Sequence, residues 1–200
     1  MTVSPINYIL TTDATSEVIT LAEIKTFLKI DGTDYDSILT PFIKVSRQIG
    51  EKITGRDFVE KEYKTFLDSF PYCHGIEIRK SKLKSITSIQ YYDVNNALQT
   101  LSSADYYFTN DANYSSIYIN NDKSFPTTYE RKQAVIITFK VDYPNFPATL
   151  KQAMLSICAY LYENAGDCVN ENNLQFKSLF FPYIVSQKFI IWNANQSKEL

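Results

Sequence analysis

The chain predicts an α+β fold: antiparallel helices, two N-terminal and one C-terminal, with an inserted small antiparallel β-sheet or sandwich and an extended C-terminal arm. Three observations carry this expectation. Apolar residues recur at three-and-four spacing between Tyr35 and Arg56. From Phe58 to Asp142 the period changes to two, in short runs rich in β-branched and aromatic residues. Helical spacing then returns after Pro144 and Pro147, through Leu150, Ala153, Met154, Ile157 and Leu161. The matching division is an N-terminal arm (1–18), a helical core (19–57 and 144–166), an inserted β domain (58–143) and a C-terminal arm (167–200).

Residues 1–18 contain Pro5 and a polar Thr/Asp/Ser cluster, which suits an arm or a loosely attached strand. Thr20 and Glu23 have the spacing of a capping box, and Leu21, Ile24, Phe27 and Leu28 supply the buried stripe of a first helix. The stretch IDGTDYD carries Asp31, Asp34 and Asp36, but Gly32 falls second, where an EF-hand loop wants glycine sixth. A turn and a helix cap are therefore expected there, not a metal site. The following helix is the spine. Tyr35, Ile38, Leu39, Phe42, Ile49 and Ile53 mark its apolar face, Asp34 or Asp36 can cap its start, and Gly55 can end it in a left-handed conformation.

The extended runs are Phe58–Leu67, Gly75–Arg79, Ser85–Asp93, Ala97–Leu101, Tyr106–Thr109, Ser116–Asn120 and Ala134–Asp142. The last alternates most cleanly, with Val135, Ile137, Phe139 and Val141 on one face and Thr138, Lys140 and Asp142 on the other. Asn95-Asn96 suits a tight hairpin turn because asparagine tolerates positive φ. Pro147 suits the first position of the third helix, and Asn164-Ala165-Gly166 its end. Beyond a polar linker, Leu174 to Trp192 holds six aromatics in 19 residues, split by Pro182. A segment this apolar must be covered, either by its own domain or by a neighbouring subunit or partner.

Composition narrows the function. The net charge of −2 lacks the basic excess of a protein that grips nucleic acid. No run approaches the roughly 18 apolar residues of a membrane helix, and the N-terminus shows no basic-then-apolar leader, so no secretory signal is expected. Cys73, Cys158 and Cys168 cannot all pair internally and form no C-x-x-C, which favours a reduced intracellular compartment. The 15 Tyr and 13 Phe suit large contact surfaces or a β-rich core.

Candidate chemistry is sparse. Cys73 and His74 are adjacent, but neighbours in an extended segment point to opposite faces, and no second Cys/His pair at ligand spacing supports zinc. Glu60 and Glu62, interleaved with Lys61 and Lys64, read as a solvated strand face. There is no Walker loop, G-x-G-x-x-G or G-x-S-x-G. No catalytic residue, metal or cofactor is expected. A second reading is a carbohydrate-binding module, with Tyr91, Tyr92, Tyr106, Tyr107, Tyr114 and Tyr118 as its stacking platform, although these fall on both faces of their strands.

The ordered pattern resembles the head-tail connector, or adaptor, proteins of tailed bacteriophages and gene transfer agents. Three stretches carry the resemblance: Ile19 to Arg56, ending in Glu51-x-x-Thr54-Gly55-Arg56; Ile76 to Asp93, ending in Tyr-x-Asp; and Val135 to Asn164, with Pro147, Leu150, Lys151, Ala153 and Met154, then Tyr162, Glu163 and Asn164. Departures are Asp142-Tyr143, where Gly-Tyr is frequent, and Ala165 in place of arginine. The resemblance implies a structural virion protein and no enzyme. It implies a homo-oligomeric ring, usually of twelve copies, beneath the portal at the virion neck, assembled in the host cytoplasm. It further implies contact with the portal and with the next neck, stopper or tail protein, and a lumen through which DNA passes without sequence-specific binding. Contact with the portal or a sister subunit is then expected from Phe176, Leu179, Phe180, Phe181, Tyr183, Ile184, Phe189, Ile190 and Trp192. Thr54, Gly55 and Arg56 are expected to form the structural helix end, with Arg56 holding it through hydrogen bonds to carbonyl or carboxylate groups and a DNA contact from Arg56 as the second reading.

Overall fold

The computed structural model describes residues 7–72, 75–112, 114–165 and 175–185. Two layers of apolar packing organise them, one between helices and one between sheets. Helix α1 spans Leu21–Leu28 and begins with the capping box. The Glu23 amide donates to Thr20 Oγ1 (3.3 Å) and the Thr20 amide to Glu23 Oε2 (2.9 Å), satisfying two donors the first turn would otherwise orphan. Glu23 also pairs with Lys151 at 2.5 Å; that bond, with the Thr20 amide, holds its carboxyl below the usual range.

Helix α2 spans Asp36–Thr54 and helix α3 Ala148–Glu163. Leu39, Ile43 and Ile49 pack with Leu150, Ala153, Met154 and Ile157 of α3, Ile24 of α1 and Phe58. Each of these Leu, Ile, Met and Phe side chains contributes roughly 1.5–3 kcal/mol by leaving water. The apolar face of α2 differs from expectation at its start, because Tyr35 and Ile38 are exposed. The buried stripe instead runs through Leu39, Ile43, Ser46, Arg47 and Gly50. Phe27 of α1 is likewise exposed. The cap of α2 also differs. Tyr35 is the N-cap without a side-chain bond, while Asp36 lies in the first turn and pairs with Lys25 at 2.7 Å. Pro147 is the N-cap of α3, one position earlier than expected.

The strands are β1 (Tyr8–Thr12), β2 (Lys61–Leu67), β3 (Ile76–Ile78), β4 (Lys82–Tyr92), β5 (Leu98–Thr100), β6 (Tyr106–Asn110), β7 (Ser115–Ile119) and β8 (Val135–Asp142). They form a five-stranded sheet ordered β1-β2-β8-β4-β5 and a three-stranded sheet ordered β3-β7-β6, antiparallel throughout. The run 8–12 is thus an edge strand. In β8 the alternation is complete: Val135, Ile137, Phe139 and Val141 are buried, and the residues between them only half-buried.

Strand β4 shows how sequence spacing becomes shape. Leu83, Ile86 and Ile89 recur every third residue, which a regular strand would place on opposite faces. Register shifts between Leu83 and Ser85 and between Ile86 and Ser88 absorb the extra residues. Leu83, Ile86 and Ile89 thereby stand opposite Val141, Phe139 and Ile137, all on the core face. The β4–β5 hairpin turns at Asn95-Asn96, with Asn96 at φ 59° and the Asp93 carboxylate accepting from the amides of Asn95 and Ala97.

The extended C-terminal arm takes a different form in its described part. Gln175–Tyr183 is a 3₁₀ helix packed on α2 and α3, because Phe180 finds an apolar site there against Gly50 and Phe58.

Candidate assembly surface and the joint beneath it

The C-terminal end of α2 is where three parts of the chain meet. Gly55 takes φ 69°, and its amide donates to the Glu51 carbonyl at 2.8 Å, closing the helix. Thr54 Oγ1 donates to the Gly50 carbonyl (2.8 Å) and accepts from the Arg56 amide (3.3 Å). Arg56 Nε donates to the Tyr183 carbonyl and its Nη2 to the Ala112 carbonyl, both at 2.9 Å, while the guanidinium lies 5.9 Å from the Tyr143 ring centroid. The Val185 amide donates to the Thr54 carbonyl at 2.8 Å. Arg56 therefore ties the spine, the β6–β7 connection and the C-terminal segment together through carbonyl oxygens.

Beneath this joint lies a chain of charges that ties α2 to β2. Arg47, 1% exposed, donates Nε to Glu17 Oε2 (2.7 Å), Nη2 to Glu17 Oε1 (3.3 Å) and Nη1 to Glu51 Oε2 (3.0 Å). Burial disfavours its charge, but these carboxylates more than offset that and raise its pKa. Glu51 also accepts from Lys61 Nζ (2.6 Å) and the Phe58 amide (3.0 Å). Lys61 reaches Asp57 Oδ1 (3.1 Å), which accepts from the Tyr63 hydroxyl at 2.6 Å. Burial, and then the Asp57 charge, push the Tyr63 phenol far up. Asp57 Oδ2 is buried with no partner among the described residues.

Lys61 corrects the solvated-face reading of 60–64. It is buried because it alternates with Tyr63 and Thr65 on the core face of β2. Glu60 and Glu62 do lie outward: Glu60 pairs with Lys84 and Lys140, and Glu62 accepts from Thr87. Arg47 and Lys61 were legible only in part. Arg47 falls four residues before Glu51 on the buried stripe, a spacing that pairs charges on a helix.

The expected contact residues divide. Phe180 is 0% exposed and belongs to the subunit's own core. Phe176, Leu179 and Tyr183 pack partly against the helices, whereas Phe181 and Ile184 are 58% and 43% exposed. Phe189, Ile190 and Trp192 lie outside the described residues, as do Cys73 and His74. Among the described residues no group of three or more His, Cys, Asp or Glu could hold a metal ion.

The six strand tyrosines do not form one platform. Tyr91 packs on Phe70 (5.8 Å), Tyr92 lies under Arg131 (4.0 Å), Tyr114 under Arg79 (6.0 Å), and Tyr106 packs on the sheet core. Tyr107 and Tyr118 pair with each other at 5.6 Å and border a shallow cavity of about 260 Å³.

Comparison with known proteins agrees with this architecture. The family model described as "Head completion protein" matches residues 17–169. No curated protein matches the chain by sequence. Among solved structures, a chain in the virion of a native gene transfer agent particle superposes with a TM-score of 0.71 at 14% identity, covering 91% of this chain and 97% of that one. A chain in the neck of an empty gene transfer agent particle, computed with C6 symmetry, gives 0.69 at 14% identity, covering 93% and 98%. One in the neck of the native particle, computed with C12 symmetry, gives 0.59 at 14% identity, covering 87% and 96%. At that identity the likeness establishes the fold. The family match spans both helical ends and the whole strand region between them, and on that extent the chain belongs to the head completion protein family.

Proposed function

We propose that this chain is a structural subunit of the head-tail junction of a virion, a connector that forms a ring under the portal and continues the DNA channel toward the tail. It acts by assembly and performs no catalysis. The observation that carries the reading is the family match over 17–169, set beside an exposed aromatic and aliphatic pair, Phe181 and Ile184, on the segment beyond it. The C6 and C12 symmetries of the similar neck structures support a ring, which needs two different surfaces that meet head to tail and close. A net charge of −2 suits a lumen that lets phosphates pass rather than holding them.

In this reading Phe181 and Ile184 contact the portal or a sister subunit, held in position by Phe180 beneath them and by Arg56 on the Tyr183 carbonyl. The double variant Phe181→Ser/Ile184→Ser tests it. Both residues are substantially exposed, so stability should move by less than about 0.5 kcal/mol, while co-sedimentation with purified portal rings should fall at least about tenfold, roughly 1.4 kcal/mol. Unchanged co-sedimentation would refute the assignment of these residues.

A further inference from the structure

Among the described residues the five-stranded sheet ends in two edges with no further strand, β1 on one side and β5 on the other. Natural sheets blunt such edges with charge or proline, since an unpaired strand invites another chain. These edges carry no charge and no proline, and are limited only by the three-residue length of β5 and the register shift after Leu10 in β1. β1 reads YILTT and β5 reads LQT, whereas the lysines of this sheet sit on β2, β4 and β8.

The two edges also match each other. The register of β1 against β2 is regular only from Tyr8 to Leu10, before the shift between Leu10 and Thr12, which leaves three residues to face the three of β5. Ile9 stands opposite Lys64, and Leu98 opposite Tyr92, both on the face of the sheet turned away from the core. They are 53% and 48% exposed. A sheet continued from one copy into the next keeps its faces, so these two side chains would share one face across the new ladder. In β5 the Leu101 amide bonds the Ile89 carbonyl and the Asp93 amide bonds the Ala97 carbonyl. The antiparallel alternation therefore turns the N–H and C=O of Leu98 and Thr100 away from β4. The small sheet is less open: Asn110 bonds the Leu83 backbone, and the Arg79 amide bonds the Tyr8 hydroxyl.

We infer that β5 of one subunit pairs with β1 of a second copy, so that the large sheets run on from subunit to subunit around the ring. The inference rests on the ring reading above. Because the two edges differ, the contact is head to tail, the kind that propagates until it closes.

The test uses the full chain with purified portal rings of the same particle. Hydrogen exchange on the wild-type assembly should slow the outward Leu98 and Thr100 amides by about 100-fold or more relative to the free subunit. Thr100→Pro removes an outward N–H while leaving the bonds to β4, and Ile9→Lys places a charge on the other edge. Each should melt like the wild type and lower ring yield at least about tenfold. Wild-type rings whose edge amides exchange as fast as in the free subunit would overturn the inference and leave the ring reading standing. So would both variants assembling normally. A wild-type chain that forms no ring on the portal would remove the ring reading, and this inference with it.

Discussion

Replacing Arg47 with methionine isolates the buried charge chain. Methionine keeps most of the packing of the arginine stem and removes the guanidinium. Two carboxylates then lose a partner. Glu51 retains Lys61 at 2.6 Å and the Phe58 amide at 3.0 Å, so its charge stays paired. Glu17 loses both bonds to Arg47, but its side chain is 29% exposed and water can reach it. Breaking a buried ion pair by removing one member costs about 3–5 kcal/mol. With one carboxylate still paired and the other partly hydrated, the low end applies, about 3 kcal/mol. In a domain of this size that corresponds to a fall in Tm of about 6–12 °C. Urea unfolding measures it, with an unchanged m-value showing that the unfolded state is not the cause. Adding Glu17→Gln should recover part of the loss, since no stranded charge then remains; the cycle should return a coupling of about 1 kcal/mol or more. A loss under about 1 kcal/mol for Arg47→Met, or strict additivity, would show that the Arg47 guanidinium contributes little and that its ion pairs do not fasten the Glu17 segment to α2.

Two further outcomes follow from the same packing. A methyl group at Gly50 would sit 2.5 Å from Phe58 Cε2 and 3.0 Å from Phe180 Cε1. Phe58 must shift against Phe146, whose ring stands 5.0 Å away, and Phe180 must give with it; Gly50→Ala should cost about 2 kcal/mol and speed protease cleavage within 175–185, and an unchanged digest would refute this. Burial pushes the Cys158 thiol up to about 11 from an ordinary 9.0. Above pH 9 the unfolded chain loses that proton while the folded one keeps it, so stability should fall as pH rises from 9 toward 11, by up to about 1.4 kcal/mol per pH unit. The raised phenols of Tyr8 and Tyr63 act in the same direction. Urea midpoints across that window should show a shallower fall in Cys158→Ala.

Much of this architecture is a property of local pattern. The capping box at Thr20 and Glu23 needs only four residues, the turn at Asn95-Asn96 only a pair that tolerates positive φ, and the alternation in β8 only a period of two. Such signals survive in one dimension because their partners are a few residues away. Tertiary packing decided the rest. Whether a lysine in an alternating strand faces water or core depends on what stands opposite, and Lys61 is buried because Glu51 and Asp57 wait there. Tyr35 and Ile38 follow the helical spacing yet stay exposed, with Tyr35 meeting the Tyr162 ring of α3 edge-on at 5.7 Å instead of entering the core. The same chain end that reads as uniformly apolar divides in space: Phe180 turns in against Gly50 and Phe58, while Phe181 turns out. Period and caps name the elements because they act between near neighbours; which side chains are left for another molecule depends on residues far away in the chain, and only the folded arrangement brings those together.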